Sequence, residues 1–74
     1  MSTVKKILIV DDDDALRESL VEQLDLHEEF TCITGSTAAQ GLEQVRSDHA
    51  DLVLLDVGLP DMDGREACRL MRKA

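Results

Sequence analysis

The sequence predicts a small α/β domain built around a parallel sheet. Short apolar runs alternate with longer amphipathic stretches along the 74 residues, in the order β-α-β-α-β-α. Two of the apolar runs are continuous rather than alternating, which is typical of strands buried on both faces. Strands that alternate with helices favour a parallel sheet with right-handed crossovers. The composition, 43% hydrophobic and 32% charged, is that of one globular domain.

The first unit is a predicted strand over residues 4–10 followed by a helix over residues 14–26. Asp13 or Asp14 stands where a side chain can accept hydrogen bonds from the free N–H groups of the first helical turn. Arg17 is expected to face water. Leucines recur every four residues and predict the apolar face of this helix: Leu16, Leu20 and Leu24.

The second unit begins with a shorter, more polar strand over residues 30–34, which predicts an edge position. A helix then starts within residues 35–47, where Thr37 and Gln40 have the spacing of a capping box. Gly41 inside this helix makes helix formation less favourable by about 1 kcal/mol than Ala would. The predicted apolar face contains Ala38, Leu42 and Val45.

The third unit is a strand over residues 51–56 that is apolar throughout its middle. Gly58, Pro60 and Gly64 mark the segment after it as a loop. A helix over residues 65–73 closes the chain. Its predicted apolar face contains Ala67, Leu70 and Met71.

Carboxylates follow two of the predicted strands directly. The first strand runs into "ILIVDDDD", so that Asp11 and Asp12 lie at its carboxyl end, and Asp56 ends the third strand. Ligands of open parallel sheets bind beyond the carboxyl ends of the strands. Neighbouring strands lie about 4.8 Å apart, and two like charges at about 4 Å repel by roughly 4 kcal/mol at an effective dielectric of 20. Mg²⁺, which prefers oxygen ligands, is the ion expected to neutralise this cluster. For the four aspartates taken alone, a solvated helix-capping turn is the competing interpretation.

Charge and motif content argue against several other functions. The net charge of −8 disfavours direct contact with nucleic acid or with an anionic membrane surface. No apolar run approaches the roughly 20 residues of a membrane span. Cys32 and Cys68 lie outside any CxxC pattern, which predicts reduced thiols and a cytoplasmic location. The chain has no GxGxxG or Walker-type loop, and its acidic runs lack the spacing of a calcium loop.

Two stretches, "ILIVDDDDALRESLVEQL" and "DLVLLDVGLPDMDG", resemble the receiver domain of bacterial two-component response regulators. The resemblance implies that Asp56 is the phosphoacceptor and that Asp12 binds Mg²⁺ directly. It implies that Asp11 positions the ion through water and that the backbone carbonyl of Gly58 completes the protein ligands. The implied phosphoryl donor is a phosphohistidine on a sensor histidine kinase or a phosphotransfer protein.

The resemblance covers three of the five β/α units of the family. We therefore expect residues 1–74 to form a partial receiver domain, a truncated flavodoxin-like (βα)3 fold with sheet order 2-1-3 that lacks units four and five. The family's switch Ser/Thr, the Lys that contacts the phosphoryl group and the output surface fall in those units, so impaired phosphorylation is expected. The third strand becomes an edge, which predicts a homodimer or a swapped oligomer.

Two other function classes stay open at this point. One is an interaction fragment that self-associates and takes up no phosphate. The other is a magnesium-dependent phosphohydrolase of related topology. Such enzymes use a second Asp two residues after the nucleophile, and Gly58 occupies that position. We therefore expect a phosphoacceptor that assists its own phosphorylation in the complete family domain, rather than an enzyme.

Overall fold

The structure is a computed structural model that describes residues 4–73. Residues 1–3 and 74 of the predicted domain lie outside the described residues. Every predicted strand and helix is present, and the order β-α-β-α-β-α is confirmed. The elements are β1 Lys5–Val10, α1 Asp14–Asp25, β2 Phe30–Gly35, α2 Ala38–Asp48, β3 Leu52–Leu55 and α3 Gly64–Lys73.

The three strands form a parallel sheet of order β2-β1-β3, as predicted. The central strand β1 pairs with β3 in a register that places Leu8 opposite Val53 and Val10 opposite Leu55. The apolar run of β1 is buried on both faces because it lies between two strands and under helices from both sides. This central position explains why its apolar residues are continuous in the sequence.

Helices α2 and α3 cover one face of the sheet. The core on this side is a cluster of buried side chains from β1, α2, α3 and the loop before α3: Leu8, Val10, Ala38, Leu59, Ala67 and Met71. Gly41 of α2 lies against β1, since a Cβ built there would be 2.7 Å from Val10 Cγ2 and 3.0 Å from Met71 Cε. The helix therefore carries glycine where the sheet comes too close for a side chain.

Helix α1 covers the opposite face and packs on β1 and β2. The structure describes all twelve residues of this helix, and none is fully buried. Leu16, predicted to lie on its apolar face, is 48% exposed. Leu52 and Leu54 of β3 are also exposed because α1 does not extend over this strand. The predicted face exists, but only part of it is covered.

The helix starts follow the predicted capping chemistry. Asp13 caps α1, and its carboxylate accepts the N–H of Leu16 at 3.1 Å. At α2 the Thr37 hydroxyl accepts the N–H of Gln40 at 3.2 Å. In a standard capping box the Gln40 side chain would accept the N–H of the cap residue, Thr37. Here it accepts the N–H of Ser36 instead, at 2.8 Å. Within residues 4–73, every helix is too short and too polar to cross a membrane.

Candidate metal centre at the carboxyl edge of the sheet

The carboxyl ends of β1 and β3 lie side by side at one end of the sheet, which we call its carboxyl edge. The pairing of these strands continues past Leu55, where the Asp56 N–H donates to the Val10 carbonyl at 2.9 Å. On the other side, the Asp11 N–H donates to the Gly35 carbonyl of β2 at 3.1 Å. The backbone of both aspartates is thus fixed by the sheet itself, and their side chains start from neighbouring strands.

Asp11, Asp12 and Asp56 converge as the sequence predicts. Each offers one carboxylate oxygen, and these oxygens lie within 4.8 Å of one another. Asp11 and Asp56 are half-buried, whereas Asp12 is exposed. With ligands at about 2.1 Å, opposite oxygens of a Mg²⁺ ion lie about 4.2 Å apart. These three carboxylates are therefore the described groups that could hold one hard cation, and the exposed Asp12 leaves the site open to water.

Local backbone bonds orient two of the three carboxylates. Asp11 Oδ1 accepts the N–H of Asp13 at 2.9 Å. Asp56 Oδ1 accepts the N–H of Gly58 at 3.1 Å. Both are Asx turns, in which an aspartate side chain binds the backbone two residues on. Each turn fixes the orientation of its carboxylate group relative to the backbone.

The loop after β3 is fixed under Asp56 by a close backbone approach. A Cβ at Gly64 would lie 2.5 Å from the Asp56 carbonyl oxygen and 2.6 Å from Val57 Cα, so only glycine fits there. The Gly64 N–H also donates to the Val57 carbonyl at 3.1 Å. Gly58 is different, because a Cβ there would lie 3.8 Å from Asp56 Oδ1, which is an ordinary van der Waals distance. Its role as a carbonyl ligand stays a prediction.

Asp61 ties the same loop to α2. Its two carboxylate oxygens accept the N–H groups of Ala38 at 2.8 Å and Ala39 at 3.0 Å. These bonds to the helix N-terminus lower the pKa of Asp61. Sequence reasoning missed this contact because the acid and its partners are 22 or 23 residues apart.

Arg17 of α1 is the second residue that sequence reasoning missed. We expected it to face water, but its side chain is only 17% exposed. Its guanidinium donates to the Asp11 carbonyl at 2.6 Å and to the Asp14 carboxylate at 2.5 Å. Asp14 and Arg17 are three residues apart, a spacing at which helical side chains of opposite charge pair. This spacing predicts the ion pair with Asp14 but not the bond to the Asp11 carbonyl.

Lys6 lies near the start of β1, at the end of the sheet opposite to the acidic cluster. Its N–H donates to the Asp51 carboxylate at 2.8 Å, and its ammonium group donates to the Asp48 carbonyl at 3.3 Å. Asp48 ends α2 and Asp51 immediately precedes β3, so both partners lie away from the acidic cluster. Lys6 therefore does not act on the three convergent aspartates.

The sheet order and the acidic edge together define a CheY-like receiver fold. The family described as "Response regulator receiver domain" matches residues 7–74. The chain therefore belongs to the response regulator receiver family.

Sequence relatives and solved structures agree with this assignment. The response regulator MprA of Mycobacterium ulcerans is 42% identical over 67 residues, which cover 90% of this chain and 28% of the relative. A CheY-like receiver from Methanospirillum hungatei superposes with a TM-score of 0.90 at 37% identity, over 96% of this chain and 56% of that one. A further match is to a chain in the crystal structure of the histidine kinase ThkA in complex with the response regulator TrrA. Its TM-score is 0.86 at 36% identity, over 95% of this chain and 60% of that one.

Proposed function

We propose that this chain is a phosphoacceptor module of a two-component system and that Asp56 receives the phosphoryl group. The proposed donor is a phosphohistidine on a sensor histidine kinase or phosphotransfer protein, and the proposed compartment is the cytoplasm. The observation that supports this most strongly is the convergence of three carboxylate oxygens within 4.8 Å at the sheet edge. A relative's structure contains a histidine kinase together with its response regulator, which supports the proposed partner.

The chemistry assigned to Asp56 follows from its hydrogen bonding. Its Oδ1 is held by the Gly58 N–H, so the second carboxylate oxygen is the proposed nucleophile. That oxygen bonds to phosphorus while the P–N bond of the phosphohistidine breaks and its electron pair returns to the imidazole. Asp11, Asp12, Asp56 and the Gly58 carbonyl are the proposed Mg²⁺ ligands. When bound, Mg²⁺ supplies the positive charge that offsets repulsion between carboxylate and phosphoryl oxygens.

A small phosphodonor tests this proposal without the kinase. The chain is incubated with acetyl phosphate and Mg²⁺, reduced with borohydride to convert the acyl phosphate to a stable alcohol, and mapped by mass spectrometry. We expect modification at Asp56 only, and none in an Asp56→Asn variant. Asp51→Asn, at the opposite edge of the sheet, is the matched control and should leave the modification unchanged. Modification elsewhere, or none with Mg²⁺ present, would overturn the assignment.

The reaction is proposed to be slow in this chain. The chain spans less than a third of the length of the curated relatives and little more than half of the solved receivers that it matches. The resemblance places a phosphoryl-contacting Lys and a switch Ser/Thr in units that these residues do not include. A rate equal to that of a complete receiver under the same conditions would contradict this expectation.

A second candidate function is self-association through β3. Leu52 is 51% exposed and Leu54 is 37% exposed, and β3 has no strand on its outer side within residues 4–73. An apolar strand edge of this kind is a template for pairing with another chain. Sedimentation at increasing concentration should show dimers or swapped oligomers, and Leu54→Lys should reduce them. A strictly monomeric chain at high concentration would exclude this function.

A further inference from the structure

Arg17 differs from the other charged side chains of α1 in its burial and its partners. The acidic residues of this helix, Asp14, Glu18, Glu22 and Asp25, are exposed. The Arg17 side chain, by contrast, is 17% exposed, and it lines a surface cleft together with Val21 and Thr34. An arginine folded against the protein in this way loses hydration and side-chain freedom, so its contacts are the features to explain.

The guanidinium bridges two groups of the turn between β1 and α1. One nitrogen, Nη1, donates to the Asp11 carbonyl at 2.6 Å, and the other, Nη2, donates to Asp14 Oδ1 at 2.5 Å. Because the guanidinium is planar and rigid, these two bonds fix the Asp11 carbonyl relative to the first turn of α1. The turn is thus anchored to the helix at a second point besides the Asp13 cap.

The anchored carbonyl belongs to the peptide group that joins two of the predicted metal ligands. A peptide unit is planar, so the direction of the Asp11 oxygen also fixes the nitrogen and Cα of Asp12. The Asp11 side chain is held from the same turn by the N–H of Asp13. Rotation of this one peptide would therefore redirect the carboxylate of Asp12, which is exposed and belongs to the convergent group.

We propose that Arg17 is a positioning residue for the cation site and that it presets the Asp11–Asp12 peptide. The inference rests on the proposed Mg²⁺ site. Arg17 lines the same surface cleft as Thr34, which belongs to β2. Since β2 and β3 flank β1 on opposite sides, Arg17 supports the turn from the side away from Asp56. It acts through the backbone of Asp11 and not on the ion.

Replacing Arg17 should weaken Mg²⁺ binding if Arg17 positions the ligands, and should tighten it if only its charge matters. A positive charge near an acidic cluster repels a cation, so removing it should tighten Mg²⁺ binding if charge alone matters. Loss of a positioning contact should weaken binding instead. Arg17→Lys keeps the charge but cannot reproduce the two-pronged bridge, so it isolates the positioning effect.

The test compares Arg17→Lys and Arg17→Met with the wild-type chain by Mg²⁺ titration calorimetry. Arg46→Lys, on exposed α2 surface, is the matched control. We expect about a 10-fold weaker affinity for both Arg17 variants, as is typical when a residue that orients metal ligands is replaced. The control should bind as wild type does. Unchanged binding in Arg17→Lys, or tighter binding in Arg17→Met, would overturn the proposal.

A metal-free measurement distinguishes failure of this inference from failure of the cation site. In the presence of EDTA, amide hydrogen exchange at Asp13 should speed up in Arg17→Lys, while exchange in β1 and the melting temperature stay close to wild type. Exchange at Asp13 that does not change would refute the positioning role. If the wild-type chain gives no heat with Mg²⁺, the proposed site is wrong, and the exchange result still decides whether Arg17 holds the turn.

Discussion

The two faces of the sheet differ in how completely the chain covers them. Under α2 and α3, Leu8 and Val10 are fully buried in a continuous apolar cluster. Under α1, Ile7 and Ile9 are buried, but Leu16 of the helix and Leu54 of β3 remain exposed. The same strand therefore contributes to a closed core on one side and to a half-covered layer on the other.

The closed face mainly stabilises the chain, whereas the half-covered face mainly shapes its acidic edge. On the closed face Gly41 lies against the side chains of Val10 and Met71, and Gly64 lies against the backbone of Asp56 and Val57. The half-covered face positions the turn after β1 through polar contacts, chiefly those of Arg17. Substitutions on the closed face should change folding stability, whereas substitutions on the other face should mostly change the site.

The largest expected effect is at Leu8, in the middle of the closed face. Leu8→Ala should lower the free energy of unfolding by about 2–5 kcal/mol, since it removes a fully buried side chain and leaves a cavity. Urea denaturation followed by circular dichroism measures this change. A loss under about 1 kcal/mol would contradict a closed core around Leu8.

The next effect is at Gly41, where α2 approaches β1. Gly41→Val would place side-chain atoms against Val10 and Met71, and overpacking of this kind costs about 1–3 kcal/mol. Thermal unfolding should show a lower midpoint even though the substitution removes a helical glycine. Ala39→Gly, on the exposed side of the same helix, is the control for the effect of helix propensity without packing. It should lower the free energy of unfolding by at most about 1 kcal/mol. A stabilised Gly41→Val variant would mean that the two layers are farther apart than described.

A smaller effect comes from the contact of Asp61 with α2. Because the N–H groups of Ala38 and Ala39 lower the pKa of Asp61, its contribution to stability is present above the unfolded-state pKa of about 4. That contribution is lost as the pH falls through the lower folded-state value. The stability of Asp61→Asn should therefore fall less steeply between neutral and acidic pH than that of the wild-type chain. If the stability of the variant and of the wild-type chain fell equally steeply with pH, the result would contradict this contact.

The smallest effect is expected at Leu16, on the half-covered face. Leu16→Ala should change the free energy of unfolding by no more than about 0.5 kcal/mol, as is usual for exposed positions. Denaturation under the conditions used for Leu8→Ala measures it. A cost comparable to that of Leu8→Ala would show that something covers this face in solution, and self-association would be the first explanation to examine.

The elements and the acidic edge were predictable because both follow from local patterns and one topological rule. The apolar run of β1 and the leucine spacing of α1 are visible in the sequence, and parallel strands place Asp11 and Asp56 at the same edge. The exposure of Leu16 was not predictable, since periodicity identifies an apolar face but not what lies opposite it. The bond from Arg17 to the Asp11 carbonyl and the partners of Asp61 were hidden because the folded geometry selects them among many acids and amides.

The central claim is that the ends of β1 and β3 share one cation. Mn²⁺ is a paramagnetic substitute for Mg²⁺ at oxygen ligands, and its proximity broadens nearby amide signals in ¹⁵N–¹H spectra. We expect residues 11–13 and 56–58 to broaden together at the same Mn²⁺ concentration, while Lys6 and Asp51 at the opposite edge stay sharp. Broadening confined to one of the two segments, or equal at both edges of the sheet, would contradict a shared site.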